Sequence, residues 1–317
     1  MNNDNLKILK EFTIHSLPNL DVVVRGALER FADEELPKLQ VHKLGLQPLV
    51  VGSANAHAVG RILFKDTFAR FSEEGDFESN LKNFADTHSI VIVSASGGKH
   101  AVEIAERATA LRGDLPVWLL TNNKNALASK FVDAKRIIVF PKNREPYTYN
   151  TSTYLSMIFA HTKEDSKEIY SRIDTIRKDI PEDLGRYSAF ILTVPSKFEE
   201  VRSMFRTKFD ELFGGHVVGR IFTDEEIKHA KTVVPYDKEL TIHFVIDGTE
   251  YEEEQENDAH LYVPLSKKAS YGEMLAVGYF VIGKIQEAHP AYFKENIVAY
   301  TKDASEIFNQ TINPIVE

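Results

Sequence analysis

A turn rich in hydroxyl groups and glycine follows a short apolar run early in the chain. Residues 90–93 read as a buried strand, and the turn after them is Ser94-Ala95-Ser96-Gly97-Gly98. Apolar residues then recur at helical spacing over residues 99–112, so the turn lies at a helix N-terminus. Free N–H groups, the helix dipole and serine hydroxyls all favour an anion there. The pattern predicts a phosphate site, although a turn that merely needs small residues would share it.

A second group of reactive side chains lies in residues 206–231. Lys208 and Glu211 stand near the end of a predicted helix, and His229 follows 18 residues after Glu211. A carboxylate whose pKa is raised by burial can act as a base, and an imidazole can donate and accept protons near neutral pH. His216 lies in the same segment and competes with His229. Each of these side chains would also suit a solvated surface.

Composition and charge exclude several classes of protein. The 317 residues are 43% hydrophobic and 27% charged, which is typical of one large or two ordinary globular domains. The net charge of -9 argues against nucleic acid and anionic membranes as partners. Without cysteine, a disulfide framework and thiolate chemistry are excluded. No apolar run is long enough to span a bilayer, and the first residues lack a signal pattern, so we expect a cytoplasmic protein.

Short apolar runs alternate with helical patterns along most of the chain, which favours α/β domains with parallel sheets. Strands are predicted at residues 49–52, 90–93, 115–120, 134–140, 188–194, 239–246, 260–263 and 297–300, and long helices at 99–112, 197–213 and 271–288. The alternation of strand and helix patterns stops at a polar segment and begins again after it. This predicts a helical segment (1–43), a first domain (44–165), a linker (166–186), a second domain (187–300) and a tail (301–317). Gly52 and Gly60 are too far apart for a dinucleotide-binding turn. The acidic run 250–258 is interpreted as a solvated loop.

The first half resembles the SIS (sugar isomerase) domains, in which a Ser-x-Ser-Gly-x-Thr turn grips the phosphate of a phosphosugar. Ser94, Ser96 and Gly97 match that turn, whereas Lys99 stands where the family has Thr. The resemblance implies that Ser53, after the preceding strand, also contacts phosphate. It further implies that a polar loop closes around the sugar, at Asn150, Thr151 and Ser152. Capping of the following helix by Thr151 or Ser152 is the alternative interpretation.

The second half resembles double-SIS isomerases, including the bifunctional phosphoglucose/phosphomannose isomerases and the isomerase part of glucosamine-6-phosphate synthase. In that synthase a Lys precedes a Glu by three residues, and a His ends a Glu-Leu-Lys-His sequence further on. Lys208, Glu211 and Glu226-Ile227-Lys228-His229 repeat these relations. The resemblance implies that Glu211 is the base, that His229 opens the sugar ring and that Lys208 stabilises the enediolate. The family often borrows its His from a second subunit, so a homodimer is implied.

The resemblance implies two SIS-like three-layer α/β/α domains with central parallel sheets, plus an N-terminal helical segment. It also implies a phosphosugar aldose–ketose isomerase acting on a hexose 6-phosphate through an enediol, chemistry that requires no metal and no redox cofactor. The tail lacks the Lys of the synthase, and the chain has no cysteine nucleophile, so ammonia-using chemistry is not expected. The alternative function is a non-catalytic phosphosugar sensor, which the replacement of Thr by Lys99 favours. A structural dimerisation module would require an empty Ser94–Ser96 turn.

Overall fold

The computed structural model describes residues 2–249 and 260–317, so the acidic run predicted to be a solvated loop lies outside the described residues. The chain forms two compact units. Unit 1 comprises Met1–Asp33, Asn143–Thr151 and Glu164–Glu317, and unit 2 comprises Glu34–Lys142 and Ser152–Lys163. The architecture is three-layer α/β/α with parallel sheets, which confirms the predicted fold class. In the described residues, no helix combines the length and the apolar character needed to cross a membrane.

The helices and strands follow one another along the chain in the alternating manner that the sequence predicts. The helices are α1 (Asp4–Glu11), α2 (Leu20–Phe31), α3 (Asn55–Phe64), α4 (Phe77–Asn83), α5 (Lys99–Leu111), α6 (Thr151–Thr162), α7 (Ser166–Ile176), α8 (Val201–Phe213), α9 (Asp224–Ile227), α10 (Tyr271–Ala288) and α11 (Tyr292–Ile307). The strands are β1 (Pro48–Val51), β2 (Arg70–Ser72), β3 (Ser89–Val93), β4 (Val117–Thr121), β5 (Ile137–Val139), β6 (Glu145–Pro146), β7 (Ala189–Val194), β8 (Val218–Thr223), β9 (Glu239–Ile246), β10 (His260–Leu265) and β11 (Ile315–Val316).

Unit 2 is built on a parallel sheet with the strand order β2-β1-β3-β4-β5. Every residue of β3 is buried, because helices cover the sheet on both faces. Ile90 and Ile92 belong to a core cluster with residues of α4 and α5. On the other face α3 approaches closely at Gly60, where an added Cβ would lie 2.8 Å from Val50 Cγ1. The chain leaves β1 and β3 in opposite directions along the sheet, so a topological switch point lies between their carboxyl ends.

Unit 1 is built on a second parallel sheet with the order β10-β9-β7-β8. Phe205 of α8 contacts Phe244 of β9, with ring centroids 6.0 Å apart, and a Cβ on Gly219 of β8 would clash with Phe209. Helix α10 is buried over most of its length and packs against both α8 and α2. The largely apolar sequence of α10 is therefore that of a helix buried in the core. The amino-terminal helices are thus part of the core of unit 1.

The predicted last strand at residues 297–300 is wrong, since these residues lie inside α11. The buried residues of α11 are Phe293, Ile297, Thr301 and Ala304, a spacing that fits one face of a helix. The short apolar run alone could not distinguish the two structures. Strands β2 and β8 were not predicted. In β8 only Ile221 and Thr223 are buried, so the strand lacks the continuous apolar run that identified the others.

Residues 166–186, predicted to be a linker, contain α7 and belong to unit 1. Ile169, Ile173 and Ile176 of this helix are buried. Asp165 caps α7 by accepting from the N–H of Lys167 at 2.7 Å. Arg25 of α2 donates to Asp174 of α7 at 2.9 Å. The polar composition of this segment reflects one solvated face of an amphipathic helix.

Candidate functional site

The serine turn follows β3 and leads into α5, as predicted. Gly97 has a left-handed backbone (φ 57°), and an added Cβ would lie 2.4 Å from Ala126 Cβ, so glycine is required by both conformation and space. The Ser94 hydroxyl accepts from the N–H of Gly97 and the Ser96 hydroxyl accepts from the N–H of Gly98, each at 3.2 Å. Each hydroxyl therefore keeps its own hydrogen for donation to a ligand. Lys99 is exposed at the first position of α5.

Ser53 lies after β1, across the switch point from the serine turn. Its hydroxyl is 3.4 Å from Glu74 Oε2, in the direction of donation to that carboxylate. The other oxygen of Glu74 lies 2.5 Å from Nδ1 of His100. Glu74, His100 and Glu103 offer ligand atoms within 4.8 Å of one another, a set that could hold a divalent cation. This carboxylate group is unfavourable for an anion close to Ser53 unless a cation offsets its charge.

The polar loop before α6 is bound largely to its own backbone. Thr151 and Ser152 are fully buried, and the N–H of Thr151 donates to the buried carboxylate of Glu145 at 2.6 Å. Asn150 has φ 47° and its side-chain amide donates to the carbonyl of Thr148 at 3.3 Å. Neither Thr151 nor Ser152 caps the helix as the alternative interpretation expected, since both are already helical residues of α6. Their predicted role at the sugar stays a prediction.

Lys208 and Glu211 form an ion pair on α8. The three-residue spacing brings both side chains to one face of the helix, and Nζ lies 2.6 Å from Glu211 Oε2. The Lys208 side chain is 0% exposed, and it also donates to the carbonyl of Thr148 at 2.7 Å. The Glu211 side chain is 24% exposed, and its Oε1 has no hydrogen-bond partner in the described residues. One carboxylate oxygen is thus anchored and the other is open.

Glu211 lies in the wall of a cavity of about 610 Å³ within unit 1. The size falls within the range of small-molecule sites. The cavity is lined by Thr148, Asp210, Glu211, Leu212, Phe213, Gly214, Gly215, His216, Tyr292, Phe293, Asn296, Ile297 and Tyr300. The set combines aromatic rings with two carboxylates, an amide and hydroxyl groups, which suits a polyhydroxylated ligand. Sequence reasoning missed α11 as a wall of this cavity, because it interpreted part of that helix as a strand.

His229 does not line this cavity. It is exposed in the turn after α9, where its N–H donates to the carbonyl of Glu226 at 3.0 Å. The Glu226 carboxylate is held by Arg202 and by the N–H of Thr223, in a capping box at the start of α9. Glu226, the first residue of the Glu-Ile-Lys-His segment, therefore stabilises the start of a helix in this chain. His216, the competitor that the sequence also offered, lies in the cavity with Glu211.

The loop opposite α8 is strained and carries polar groups toward Glu211. Thr148 has φ 73°, and its hydroxyl is buried with no hydrogen-bond partner in the described residues. Burial raises the pKa of the neighbouring Tyr147 phenol, and nearby Tyr300 and Glu211 raise this pKa further. The phenol is therefore protonated at neutral pH and can donate. A strained backbone and an unsatisfied hydroxyl at one cavity are features that functional sites retain.

A second cavity, of about 910 Å³, lies beside β9 and β10 in unit 1. His243 in its wall is hydrogen-bonded to Thr193 Oγ1 through Nδ1 and to His260 through Nε2, each at 2.9 Å. The ring also stacks on Tyr262, with centroids 4.9 Å apart. Burial, and secondarily the neighbouring His260, lowers the pKa of His243 to about 4. His243 is therefore neutral at physiological pH.

This lowered pKa predicts a loss of stability in acid. Between pH 6.5 and about 4 the unfolded chain binds a proton at His243 that the folded chain does not, so the free energy of unfolding should fall as the pH falls. The slope is at most about 1.4 kcal/mol per pH unit, less for partial exposure. Urea denaturation at pH 5 and pH 7 should show a shallower pH dependence for His243→Gln than for the parent. The exposed His15→Gln should keep the parent's slope, and equal slopes in all three proteins would contradict the assignment.

No protein-family model matches the sequence, and no curated protein is significantly similar to it. Solved structures do share the fold. Tagatose-6-phosphate ketose/aldose isomerase from Escherichia coli superposes with a TM-score of 0.57 and 12% identity over 90% of this chain and 91% of that chain. The C-terminal domain of glucosamine-fructose-6-phosphate aminotransferase from Francisella tularensis gives 0.56 and 12%, over 87% and 94%. Glucosamine-6-phosphate deaminase from Thermotoga maritima gives 0.59 and 15%, over 89% and 93%.

Proposed function

We propose that this chain, whose fold is that of the SIS phosphosugar isomerases, is itself an aldose–ketose isomerase that acts on a hexose 6-phosphate. The observation that carries the proposal is the position of Glu211. One carboxylate oxygen is fixed by the buried ammonium group of Lys208, and the other is open at the wall of a cavity of about 610 Å³. A base held in one orientation at a cavity is what proton transfer from carbon needs.

In the proposed reaction Glu211 removes the proton from C2 of the open-chain aldose. The electron pair of that bond forms the C1–C2 double bond of an enediol, and the carbonyl oxygen takes up a proton. Return of a proton to C1 and loss of the proton from the C2 hydroxyl then give the ketose. Lys208 acts here as a positioning residue, because its ammonium group contacts Glu211 and Thr148 and is fully buried.

The serine turn of unit 2 is proposed by itself as a phosphate-binding site. The turn has free hydroxyl hydrogens on Ser94 and Ser96 and stands at the N-terminus of the 13-residue helix α5. It also lies at the switch point of its sheet, where open α/β sheets bind ligands. Lys99 supplies a positive charge at the position where the family has a Thr hydroxyl.

A non-catalytic phosphosugar sensor is the second candidate. One observation favours it, because the Ser53 hydroxyl is directed at Glu74 rather than left free for a phosphate. A weakened phosphate site with no efficient turnover would suit a protein that responds to ligand concentration. The two candidates differ in chemistry at C2.

The test is hydrogen exchange at C2. The parent protein is incubated in deuterated buffer with glucose, mannose, fructose and other hexose 6-phosphates, and deuterium at C1 and C2 is followed by NMR. An isomerase incorporates deuterium into at least one sugar. Binding of a hexose 6-phosphate without exchange in any of the panel would favour the sensor and refute the enzyme.

Ser96→Ala should weaken the binding of hexose 6-phosphates by about 1 to 3 kcal/mol, since a charge-assisted hydrogen bond to phosphate is lost. Free hexoses should not bind detectably to either protein, because they lack the group that the turn recognises. Calorimetric titration measures both. Ser79→Ala, an exposed serine on α4, serves as the matched control and should bind as the parent does. Equal affinities of the Ser96 variant and the parent would show that phosphate binds elsewhere.

A further inference from the structure

His216 lies five residues after Glu211, on the turn that ends α8. Gly214 takes a left-handed conformation (φ 56°) and its N–H donates to the carbonyl of Asp210 at 3.1 Å, which ends the helix. The N–H of His216 then donates to the carbonyl of Phe213 at 3.1 Å. This tight turn brings the imidazole back to the cavity that Glu211 lines.

The His216 ring is held in orientation by one aromatic partner. It stacks on Tyr292 of α11 with ring centroids 4.2 Å apart and planes 2° from parallel. Stacking covers a face of the imidazole and leaves its edge, with both nitrogens, open. Neither nitrogen has a hydrogen-bond partner in the part of the chain that the structure describes, and the residue is exposed. Nothing in the described fold uses the proton-transfer capacity of this ring.

The polar groups around the ring are those of a site for a polyhydroxylated chain. Thr148, the open Oε1 of Glu211 and the amide of Asn296 belong to the same cavity wall. A sugar hydroxyl can donate to the carboxylate and accept from the amide. The wall of the cavity therefore contains both a fixed base, before the short glycine turn, and an imidazole without a hydrogen-bond partner in the described residues, after it.

We propose that His216, and not His229, is the acid–base residue that opens the sugar ring, within the same chain as Glu211. This inference rests on the proposed isomerase function and deepens it. It differs from the assignment that the Glu226-Ile227-Lys228-His229 segment implies, in which the histidine of a second copy completes the site. The cavity at Glu211 already holds an imidazole of its own.

Ring opening conserves the composition of the sugar. The C1–O5 bond breaks and its electron pair goes to O5, which receives a proton from the imidazolium form of His216. The O–H bond at O1 breaks as C1=O forms, and its proton leaves to solvent or back to the imidazole. The aldehyde then presents its C2 hydrogen to Glu211. One imidazole that both gives and takes a proton is sufficient for the step.

The first experiment compares His216→Asn with His229→Asn. Against cyclic hexose 6-phosphates, His216→Asn should lower kcat/KM by about 100-fold or more, and His229→Asn should change it less than threefold. A tetrose 4-phosphate, whose blocked O4 cannot close a five-membered ring, should lose much less with His216→Asn. A merely structural role of His216 would reduce both substrates equally and would overturn the proposal. So would a large loss with His229→Asn and none with His216→Asn.

Two further experiments distinguish a role of His216 in catalysis from a role in folding. Tyr292→Phe keeps the stacked ring and should lose less activity than Tyr292→Leu, which removes the ring without changing the imidazole. In addition, sorbitol 6-phosphate, a non-reacting open-chain ligand, should shift the NMR signals of the His216 ring and leave those of His229 unchanged. The reverse pattern of shifts would also overturn the proposal. If the parent itself never exchanges the C2 hydrogen of any hexose 6-phosphate, the isomerase function falls, and the catalytic role of His216 falls with it.

Discussion

Glu211→Gln is expected to abolish the exchange of the C2 hydrogen of a hexose 6-phosphate with solvent. The amide fills the space of the carboxylate and can still accept from Lys208, but it cannot take a proton from carbon. General acid–base groups contribute a factor of about 100 to 10,000, so the loss should bring exchange close to background. NMR in deuterated buffer measures the rate directly, and calorimetry should show that phosphosugar binding survives.

The matched control is Glu225→Gln, which makes the same change of charge at an exposed position of unit 1. It should exchange the C2 hydrogen at the parent's rate. A Glu211→Gln protein that still exchanges within tenfold of the parent would show that another group is the base. Loss of exchange together with loss of binding would instead make Glu211 a binding residue.

Lys208→Met is expected to lower the free energy of unfolding by about 2 to 3 kcal/mol. The change keeps the apolar stem but leaves the Thr148 carbonyl and the Glu211 carboxylate without their common partner. Loss of one partner from a buried ion pair costs about 3 to 5 kcal/mol, and the partial exposure of Glu211 reduces that figure. Urea denaturation of the variant and the parent gives the difference.

The double variant Lys208→Met/Glu211→Gln tests the cause. Removal of the carboxylate's charge should recover part of the stability, because no unpaired charge then remains in the site. Lys228 and Glu225 have the same three-residue spacing, but both side chains are exposed. A double-mutant cycle on this pair should therefore give a coupling free energy near zero. Additive losses at Lys208 and Glu211 would mean that the two side chains stabilise the fold independently.

The fold was predictable where one local pattern excluded the alternatives. The all-buried strand β3, the serine turn and the amphipathic α5 follow one another in the sequence, and each has a period or composition that only one element satisfies. Helix α10 was predicted at its observed bounds, because a strand of 18 residues would exceed the usual length of strands in globular proteins. By contrast, the apolar run at residues 297–300 is too short to show whether apolar residues recur at helix or strand spacing. The packing of α11 decided their conformation.

The candidate site divides in the same way. The contact between Lys208 and Glu211 was implicit in the sequence, since residues three apart on a helix share a face. The serine turn at a helix N-terminus was equally local. The identity of the histidine could not be predicted locally. His216 and His229 both follow α8, and their distances along the chain do not indicate which one lines the same cavity as Glu211. The glycine turn after Phe213 and the ring of Tyr292, which comes from another part of the chain, placed His216 in the cavity.

The sequence by itself therefore determined the α/β architecture, the serine- and glycine-rich turn at the start of α5 and the lysine–glutamate pair. These depend on residues within a few positions of one another, where backbone geometry fixes the neighbours. Only the tertiary structure decided which strands adjoin, that the segment predicted to be a linker contains a helix of unit 1, and which imidazole lines the same cavity as the carboxylate. Those contacts join residues far apart in the chain, and they are set by how helices and sheets bury their apolar faces together, which no short stretch of sequence records.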